Sequence, residues 1–304
     1  FNVESEPELE RLAAVASGMG RTAAVALRVN PDVDAGTHAK ITTGTAENTF
    51  GIEFTPARAV AARMRGMAGV RLVGIAVHIG SQLTSVAPFR AAFDRVAGFA
   101  RTLMAEDGHP LERLDLGGGL GVTYEREPPV DLPAYAAAAL AATRDFPGTV
   151  VFEPGRWMVA EAGVLLARVV YVKKGSQKTF AILDTGMNDL IRPAMYDAHH
   201  PIRPVSEPRP GAAETAVDVV GPICESSDVI AVGRPMPPLA ADDLLAIGVA
   251  GAYGAVMASG YNGRLLAPEV MVRDDAFAVV RARPSYEDVI RADRLAPWQL
   301  AASG

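Results

Sequence analysis

The segment VRLVGIAVHIG, residues 70–80, is an apolar run of the length and composition expected of a buried strand. A helical pattern, VAPFRAAFDRVAGFARTLMAEDG, follows at 86–108, and a second apolar run that ends in glycines, LERLDLGGG, occupies 111–119. Two β-runs separated by a helix of this length are typical of a βαβ unit, in which the strands are parallel and both sheet faces are covered. The fold prediction starts from this unit.

The same alternation extends on both sides of the unit. Further strands are predicted at 22–29 and 148–156, and further helices at 55–67 and 131–146. Thr55 is expected to cap its helix, with Pro56 in the first turn. Residues 1–160 are therefore predicted to form an α/β-barrel-like domain.

The alternation stops after about residue 164. The remaining chain consists of β-runs joined by turns rich in Gly, Pro and Asp: GVLLARVVYVKKG, QKTFAILDTG, ETAVDVVGP, DDLLAIGVAGAYG and DDAFAVVRARP. A loop rich in proline and histidine, residues 196–211, interrupts them without periodicity. Residues 161–304 are therefore predicted to form an antiparallel β-barrel or β-sandwich domain.

Composition excludes several classes of function. The 304 residues carry a net charge of -6, so no basic excess is present to neutralise nucleic-acid phosphates. The longest apolar stretches are roughly half the length that spans a bilayer, and the first residues do not resemble a signal peptide. A single cysteine excludes an intrachain disulfide and suits a reducing compartment. A soluble, cytoplasmic protein is expected.

Polar residues follow two of the predicted strands, where α/β barrels carry their chemistry. His78 ends the strand at 70–80 and is followed by Ser81. The histidine either fills a structural position or lies over a flat ring or moves a proton. The glycines at 117–119 either make a tight turn or let backbone N–H groups approach an anion such as phosphate.

A third strand ends in FEPGRW, residues 152–157. Glu153 at the end of an apolar strand needs a cationic or protonated partner. Gly155 and Arg156 could cradle a phosphate or carboxylate, although Arg156 could also form a surface pair with Glu153. Together, a ring contact, a phosphate cradle and an acid are the parts that hold pyridoxal phosphate.

The only cysteine, Cys224, lies in DVVGPICESSDVI, residues 218–230. On these residues alone it is either a small buried side chain or a thiol that takes part in chemistry.

In this order the motifs resemble the diaminopimelate decarboxylase family, within the fold type III, alanine-racemase-like group of pyridoxal-phosphate enzymes. The residues that carry the resemblance run over nearly the whole chain: LRVNPDVDAGTHAKI, VHIGSQ, LDLGGGLGV, EPGRW, DTGMNDLIRPAMYDAHHPI, VVGPICESSDVI, GAYGAVMASGYNGRLLAPEVMV and EDVIRAD. The pairing of RPAMY with GPICES favours this family over its ornithine and arginine relatives.

The resemblance implies a fold and a reaction. The fold would be a (β/α)8 TIM-barrel-type cofactor domain followed by the β-rich domain, with the terminal helical segment packing back on the barrel. The reaction would convert meso-2,6-diaminopimelate to L-lysine and carbon dioxide, the last step of lysine synthesis in bacteria. A homodimer would be needed, because Cys224 and Glu225 would enter the active site of the neighbouring subunit.

The resemblance also implies a role for each matching residue, and it implies no metal. His78 would stack on the cofactor ring, Glu153 would pair with the pyridine nitrogen, and Cys224 would donate a proton after carbon dioxide leaves. The residues expected to hold the cofactor, mainly through its phosphate, are Ser81, Gly117, Gly118, Gly119, Pro154, Gly155, Arg156 and Tyr261. The residues expected to bind the substrate are Arg156, Arg192, Tyr196, Glu225 and Tyr261.

The sequence departs from the family pattern in several places. The lysine that forms the Schiff base lies on the first barrel strand in a motif resembling YAVKAN, and none of the lysines here, Lys40, Lys173, Lys174 and Lys178, has such a setting. The first barrel strands are therefore expected to be missing, the chain to be a fragment, and the fragment alone to be inactive. Thr49 replaces a usual lysine and Gly260 a usual polar residue.

Two alternatives to the decarboxylase remain. One is a sister decarboxylase of ornithine, arginine or carboxynorspermidine. The other is a non-catalytic homologue that acts by dimerising with a partner, although the acidic, arginine and thiol positions speak against it.

Overall fold

A computed structural model describes residues 1–33 and 50–300, which form two compact units, Phe1–Val159 and Ala160–Gly304. Lys40 and Thr49 lie outside the described residues. Each unit has its own apolar core.

The first unit alternates strands and helices, as the sequence predicts. Its strands are β1 Asn2–Val3, β2 Ala23–Asn30, β3 Ile52–Glu53, β4 Val70–Val77, β5 Arg113–Asp115 and β6 Thr149–Val151. Its helices are α1 Glu6–Gly18, α2 Phe54–Met64, α3 Ala87–Ala105, α4 Leu132–Thr143 and the short α5 Gly155–Val159, which sequence analysis did not predict.

The strands of this unit pair in parallel in the order β1-β2-β4-β5-β6, with β3 also paired to β2. In the register of these strands, Ala76 of β4 lies opposite Asp115 of β5, and Asp115 in turn lies opposite Val151 of β6. Parallel strands place their carboxyl ends at one edge of the sheet. Residues that follow these three strands are therefore brought to the same edge.

Helices α3 and α4 pack against each other through aromatic contacts. Phe89 and Phe93 of α3 are buried, and their rings meet Tyr135 of α4 edge to face at 5.0 and 5.5 Å. Asp131 begins α4 and accepts a hydrogen bond from the Ala134 N–H at 2.9 Å, as expected of an N-cap.

The predicted cap of α2 is wrong. Pro56 lies in the first turn as expected, but the helix begins at Phe54, so Thr55 lies inside it. The N-cap is Glu53, whose side chain makes no capping hydrogen bond. Glu53 is the last residue of β3, so the strand runs directly into the helix and leaves Thr55 no capping position.

The second unit is mainly β-structure. Its strands are β7 Leu165–Lys174, β8 Thr179–Leu183, β9 Ile202–Pro204, β10 Thr215–Val220, β11 Val229–Met236, β12 Leu244–Ile247, β13 Glu269–Arg273 and β14 Ala276–Arg281. Its helices are α6 Arg192–Tyr196, α7 Tyr286–Ile290 and α8 Pro297–Leu300, with 3-10 turns at Ala255–Met257 and Tyr261–Gly263.

The main sheet of this unit has the order β11-β10-β8-β7-β12-β9, and β13 and β14 form a separate hairpin. The prediction of a purely antiparallel domain is wrong, because β8 and β10 are parallel. Parallel neighbours need a long crossover connection. That connection includes the segment 196–211, predicted as an irregular loop, which contains the end of α6 and strand β9.

Within the part of the chain that the structure describes, no helix is both long and apolar enough to cross a membrane.

Candidate active site

A cavity of about 380 Å³ opens in the first unit, lined by residues at the carboxyl ends of its strands. His78 and Glu153 line it together with the ion pair between Arg28 and Glu4, whose Nη1 and Oε1 atoms are 2.7 Å apart. His78, Gly117 and Glu153 each stand two residues beyond the registered trio of Ala76, Asp115 and Val151. The three predicted strand-end motifs therefore meet at one place.

His78 is half-buried at this edge, and its Nδ1 accepts a hydrogen bond from the Gly118 N–H at 3.3 Å. Burial, followed by the positive charge of Arg28, lowers the pKa of His78 below the usual value for histidine. The ring is therefore neutral at pH 7, with Nδ1 as an acceptor. A neutral ring suits contact with a flat ligand better than an imidazolium would.

The glycine turn depends on the absence of side chains. A Cβ on Gly117 would lie 2.0 Å from the Val77 carbonyl oxygen, and one on Gly118 would lie 2.0 Å from that of Glu153. Gly117 has φ +72°, and its N–H donates to Asp115 Oδ1 at 2.9 Å. The N–H groups of Gly117 and Gly118 are thus donated within the chain, so these two glycines shape the turn rather than offer donors to phosphate.

Glu153 is accessible from the cavity and is held by its backbone. Its N–H donates to the Gly117 carbonyl at 2.8 Å. Partial burial and the neighbouring carboxylate of Asp115 raise the pKa of Glu153, against the opposing influence of Arg28. Asp115 itself is buried and accepts a further hydrogen bond from Asn2 at 3.4 Å. Sequence analysis missed Asp115, although it ends the strand that leads into the glycine turn.

Arg156 on α5 is buried, so its interpretation as a surface partner of Glu153 is wrong. Its Nη1 donates to the Tyr124 hydroxyl at 2.6 Å and its Nη2 to Ser81 Oγ at 3.2 Å. The structure therefore brings Arg156 and Ser81 together. Tyr124 was missed, since no motif marks it.

In the second unit, Cys224 and Glu225 lie in the loop between β10 and β11. The thiol of Cys224 is exposed, which answers the question left open by the sequence: it is not a buried structural residue. Glu225 accepts hydrogen bonds from the Tyr261 hydroxyl at 2.6 Å and from Ser227 Oγ at 2.7 Å. These bonds, with that from Tyr261 the larger cause, lower the pKa of Glu225 and keep it ionised.

This loop is held by Asp228, which sequence analysis missed. Its buried carboxylate accepts the N–H groups of Ile223 and Met187, each at 2.6 Å. The Asp228 carboxylate therefore joins the loop to the turn after β8, together with a contact from Ser227 Oγ to Met187 Sδ at 3.7 Å. Gly186 and Gly221 make this possible, because a Cβ on either would lie 2.3–2.8 Å from the Asp228 carboxylate oxygens.

Arg192 and Tyr196 begin and end α6, one helical turn apart, so they share a face of the helix. Arg192 is buried, and its guanidinium meets the imidazole of His200, with 2.8 Å between Nη1 and Nε2. Sequence analysis also missed His200. The sequence feature that could have indicated it is the number of histidines in segment 196–211.

Comparison with known families identifies the class. The family described as "Pyridoxal-dependent decarboxylase, pyridoxal binding domain" matches residues 1–160. The class defined by this match, and by the parallel sheet with its cavity, is that of the pyridoxal-dependent decarboxylases.

Individual relatives narrow the class. The chain is 46% identical over 301 residues to the diaminopimelate decarboxylase of Zymomonas mobilis, covering 98% of this chain and 70% of that protein. It is 48% identical over 297 residues to that of Pseudomonas aeruginosa, covering 98% and 71%. The crystal structure of Helicobacter pylori diaminopimelate decarboxylase complexed with L-lysine matches with a TM-score of 0.90 and 40% identity, over 95% of this chain and 72% of that one. The chain therefore belongs to the diaminopimelate decarboxylase family.

Residues of the first unit fit the cofactor of this family, pyridoxal phosphate. They offer a neutral imidazole face at His78, a carboxyl group of raised pKa at Glu153, and a hydroxyl beside a guanidinium at Ser81 and Arg156. A pyridine nitrogen pairs with a carboxyl group, and a phosphate suits a guanidinium together with a hydroxyl donor.

Proposed function

We propose that this chain carries the machinery for decarboxylating meso-2,6-diaminopimelate to L-lysine and carbon dioxide with pyridoxal phosphate. The observation that carries the proposal is that the register of three parallel strands brings His78, Gly117 and Glu153 to one edge of the sheet, where His78 and Glu153 line a cavity. The relatives named diaminopimelate decarboxylase, and the one solved with L-lysine, support this substrate.

The first unit holds the cofactor. Pyridoxal phosphate, when bound, withdraws electrons from the carbon that loses carbon dioxide. His78 would pack against its ring, and Glu153 would pair with its ring nitrogen and keep a proton there. Ser81 and Arg156 would hold the phosphate, joined by the backbone of Gly119. Pro154 has no N–H and the N–H of Gly155 donates to the Glu153 carbonyl at 2.8 Å, so these two residues shape their turn. Gly117 and Gly118 contribute the shape of the turn.

The second unit supplies the groups that recognise the substrate, together with Arg156. Diaminopimelate has two carboxylates and two ammonium groups, so its site needs both signs of charge. Arg192 and Tyr196 bind carboxylate, for which a planar guanidinium is well suited. Glu225, kept ionised by Tyr261, binds the distal ammonium group. Tyr261 also contacts the cofactor.

Cys224 donates the proton that replaces the lost carboxylate. Free thiols are mostly protonated at neutral pH and can act as general acids. The exposure of Cys224 supports this role, because an acid must reach the carbon that it protonates. By the family resemblance, Cys224 and Glu225 serve the site of a neighbouring subunit, so we propose a homodimer.

The test uses a ligand that needs no enzyme lysine: the borohydride-reduced adduct of pyridoxal phosphate and meso-2,6-diaminopimelate, here called the pyridoxyl adduct. We expect it to bind the 304-residue chain at least about tenfold more tightly than the matching ornithine and arginine adducts, a difference of about 1.4 kcal/mol. Tighter binding of the ornithine or arginine adduct would select the sister decarboxylases. No binding of any adduct would contradict the proposal.

A second measurement examines the covalent anchor. The chain is mixed with pyridoxal phosphate, reduced with borohydride, and digested for mass spectrometry. The family resemblance leads us to expect no stoichiometric adduct on any of the four lysines, Lys40, Lys173, Lys174 and Lys178. A stoichiometric adduct on any one of them would show that this chain supplies its own Schiff-base lysine.

A further inference from the structure

The buried side chain of His200, which has no role in the proposed function, contacts Arg192. His200 is fully buried, and its Nδ1 lies 3.0 Å from the carbonyl oxygen of Gly248. Its Nε2 lies 2.8 Å from Nη1 of Arg192, which is also buried. The imidazole therefore bridges a backbone carbonyl and a guanidinium.

These two contacts define the protonation of the ring. A carbonyl oxygen only accepts hydrogen bonds, so Nδ1 of His200 must carry the proton. A guanidinium only donates, so Nε2 must present its lone pair to Arg192. The ring is thus the neutral Nδ1–H tautomer, since an imidazolium would set an N–H against an N–H.

The backbone around His200 is fixed on both sides. The Gly248 N–H donates to the Pro201 carbonyl at 2.8 Å, directly after the register pair of Ile247 in β12 and Ile202 in β9. The carbonyl that orients His200 therefore belongs to the end of a paired strand. The sheet therefore fixes the Gly248 carbonyl, this carbonyl orients the imidazole of His200, and the imidazole orients the guanidinium of Arg192.

We propose that His200 is a positioning residue that sets the orientation of the Arg192 guanidinium for a substrate carboxylate. The inference rests on the proposed function, because that function assigns the carboxylate to Arg192. A misoriented guanidinium loses bidentate geometry, which is what distinguishes arginine from a point charge.

Two substitutions test the two hydrogen bonds of His200 separately. His200→Gln places an amide oxygen near the Nε2 position, so the acceptor for Arg192 is retained. His200→Asn places its amide near Nδ1, so the bond to Gly248 is retained and the acceptor is lost. The control is His199→Gln, because the neighbouring His199 contacts Arg234 instead, at 2.8 Å.

Binding of the pyridoxyl adduct to the full chain is measured for all three variants by calorimetry. We expect His200→Asn to weaken binding about 10-fold or more, and His200→Gln and His199→Gln to change it less than about 3-fold, as expected for a hydrogen bond to a charged group. Equal losses in both His200 variants, or a larger loss in His200→Gln, would overturn the positioning role and leave a structural one.

A second readout needs no ligand. In the unliganded wild-type chain, the ring nitrogens of His200 are observed by NMR at pH 7, and their assignment is checked by their loss in His200→Gln. The neutral Nδ1–H tautomer is expected; an Nε2–H tautomer or an imidazolium would overturn the inference. If the wild type binds no adduct but shows Nδ1–H, the proposed function fails while the His200–Arg192 bridge stands.

Discussion

The two units hold their functional residues by different physical means. In the first, His78, Gly117 and Glu153 follow three strands in register, and backbone hydrogen bonds place them. In the second, one buried carboxylate, Asp228, accepts a backbone N–H group from the loop with Cys224 and another from the turn after β8. The comparison teaches that a sheet distributes the placement of a site over many bonds, whereas a buried hub concentrates it in one side chain.

The largest expected effect is at the hub. Asp228→Ala leaves the N–H groups of Ile223 and Met187 without their acceptor. Each unsatisfied group costs about 1–3 kcal/mol, so we expect the free energy of unfolding to fall by about 4 kcal/mol. Asp228→Asn retains one acceptor oxygen, and about half of that loss is expected. Urea denaturation measures both. Asp94→Ala, an exposed position on α3, is the control and should change stability by less than about 0.5 kcal/mol.

A loss below about 1 kcal/mol in Asp228→Ala would show that the loop is held by other contacts. Amide hydrogen exchange at Ile223 and Met187 in Asp228→Asn locates the effect. Faster exchange at these two amides, with the β4 amides unchanged, is the pattern that a local hub requires.

The next effect is in the sheet-built site. Gly118→Ala places a Cβ 2.0 Å from the Glu153 carbonyl oxygen, and since that oxygen is backbone the strand ends must move apart. We expect a loss of about 3 kcal/mol, together with loss of pyridoxyl-adduct binding. Thermal and urea denaturation measure the first, and fluorescence titration the second.

Gly98→Ala is the matched control for this substitution. Gly98 lies within α3, and its Cβ would approach nothing closer than Arg101 Nη2 at 3.7 Å. An alanine there should raise stability by about 0.5–1 kcal/mol, because glycine is a poor helix former. If both alanines had the same effect on stability, the close approach of Gly118 to the Glu153 carbonyl would not be what requires glycine in this turn.

The contrast also explains what could be predicted from sequence. Strand periodicity places His78, Gly117 and Glu153 at strand ends, and parallel strands bring their carboxyl ends together, so the first cluster follows from local patterns. Asp228 and His200 could not be found this way. Asp228 accepts a hydrogen bond from Met187, 41 residues away, and His200 contacts Gly248, 48 residues away. Neither residue has a periodic signal.

Two further features, one in each unit, were missed for a related reason. The parallel pairing of β8 and β10 depends on how the chain returns through α6 and β9, which turn residues alone do not specify. The burial of Arg156 likewise depends on Tyr124, which is remote in sequence and unmarked by a motif.

A smaller effect concerns the pH dependence of the sheet-built site. Burial and Asp115 raise the pKa of Glu153. An acid whose pKa is raised on folding favours the folded state when protonated, and this stabilisation is lost as pH rises from the unfolded pKa through the folded one. Glutamine does not ionise, so the Glu153→Gln variant does not lose this stabilisation as pH rises. Without cofactor, the variant should match the stability of the wild type near pH 4 and exceed it at pH 7.

The difference should stay under about 1 kcal/mol, because Glu153 is accessible to solvent. Urea denaturation at several pH values measures it, with Glu287→Gln, an exposed residue of the second unit, as the control. Greater stability of the wild type at pH 7 would show that Glu153 is ionised and well paired in the folded chain.

The smallest effect concerns the hydrogen bond between Tyr261 and Glu225. Both side chains are exposed, so Tyr261→Phe should leave stability unchanged. The substitution removes the donor that orients Glu225 and keeps it ionised, and the pyridoxyl adduct of diaminopimelate should bind about 3- to 10-fold more weakly. The matching adduct of 2-aminopimelate has no distal ammonium group for Glu225 to bind, so its affinity should not change. Equal weakening of both adducts would place the effect of Tyr261 on the cofactor rather than on Glu225.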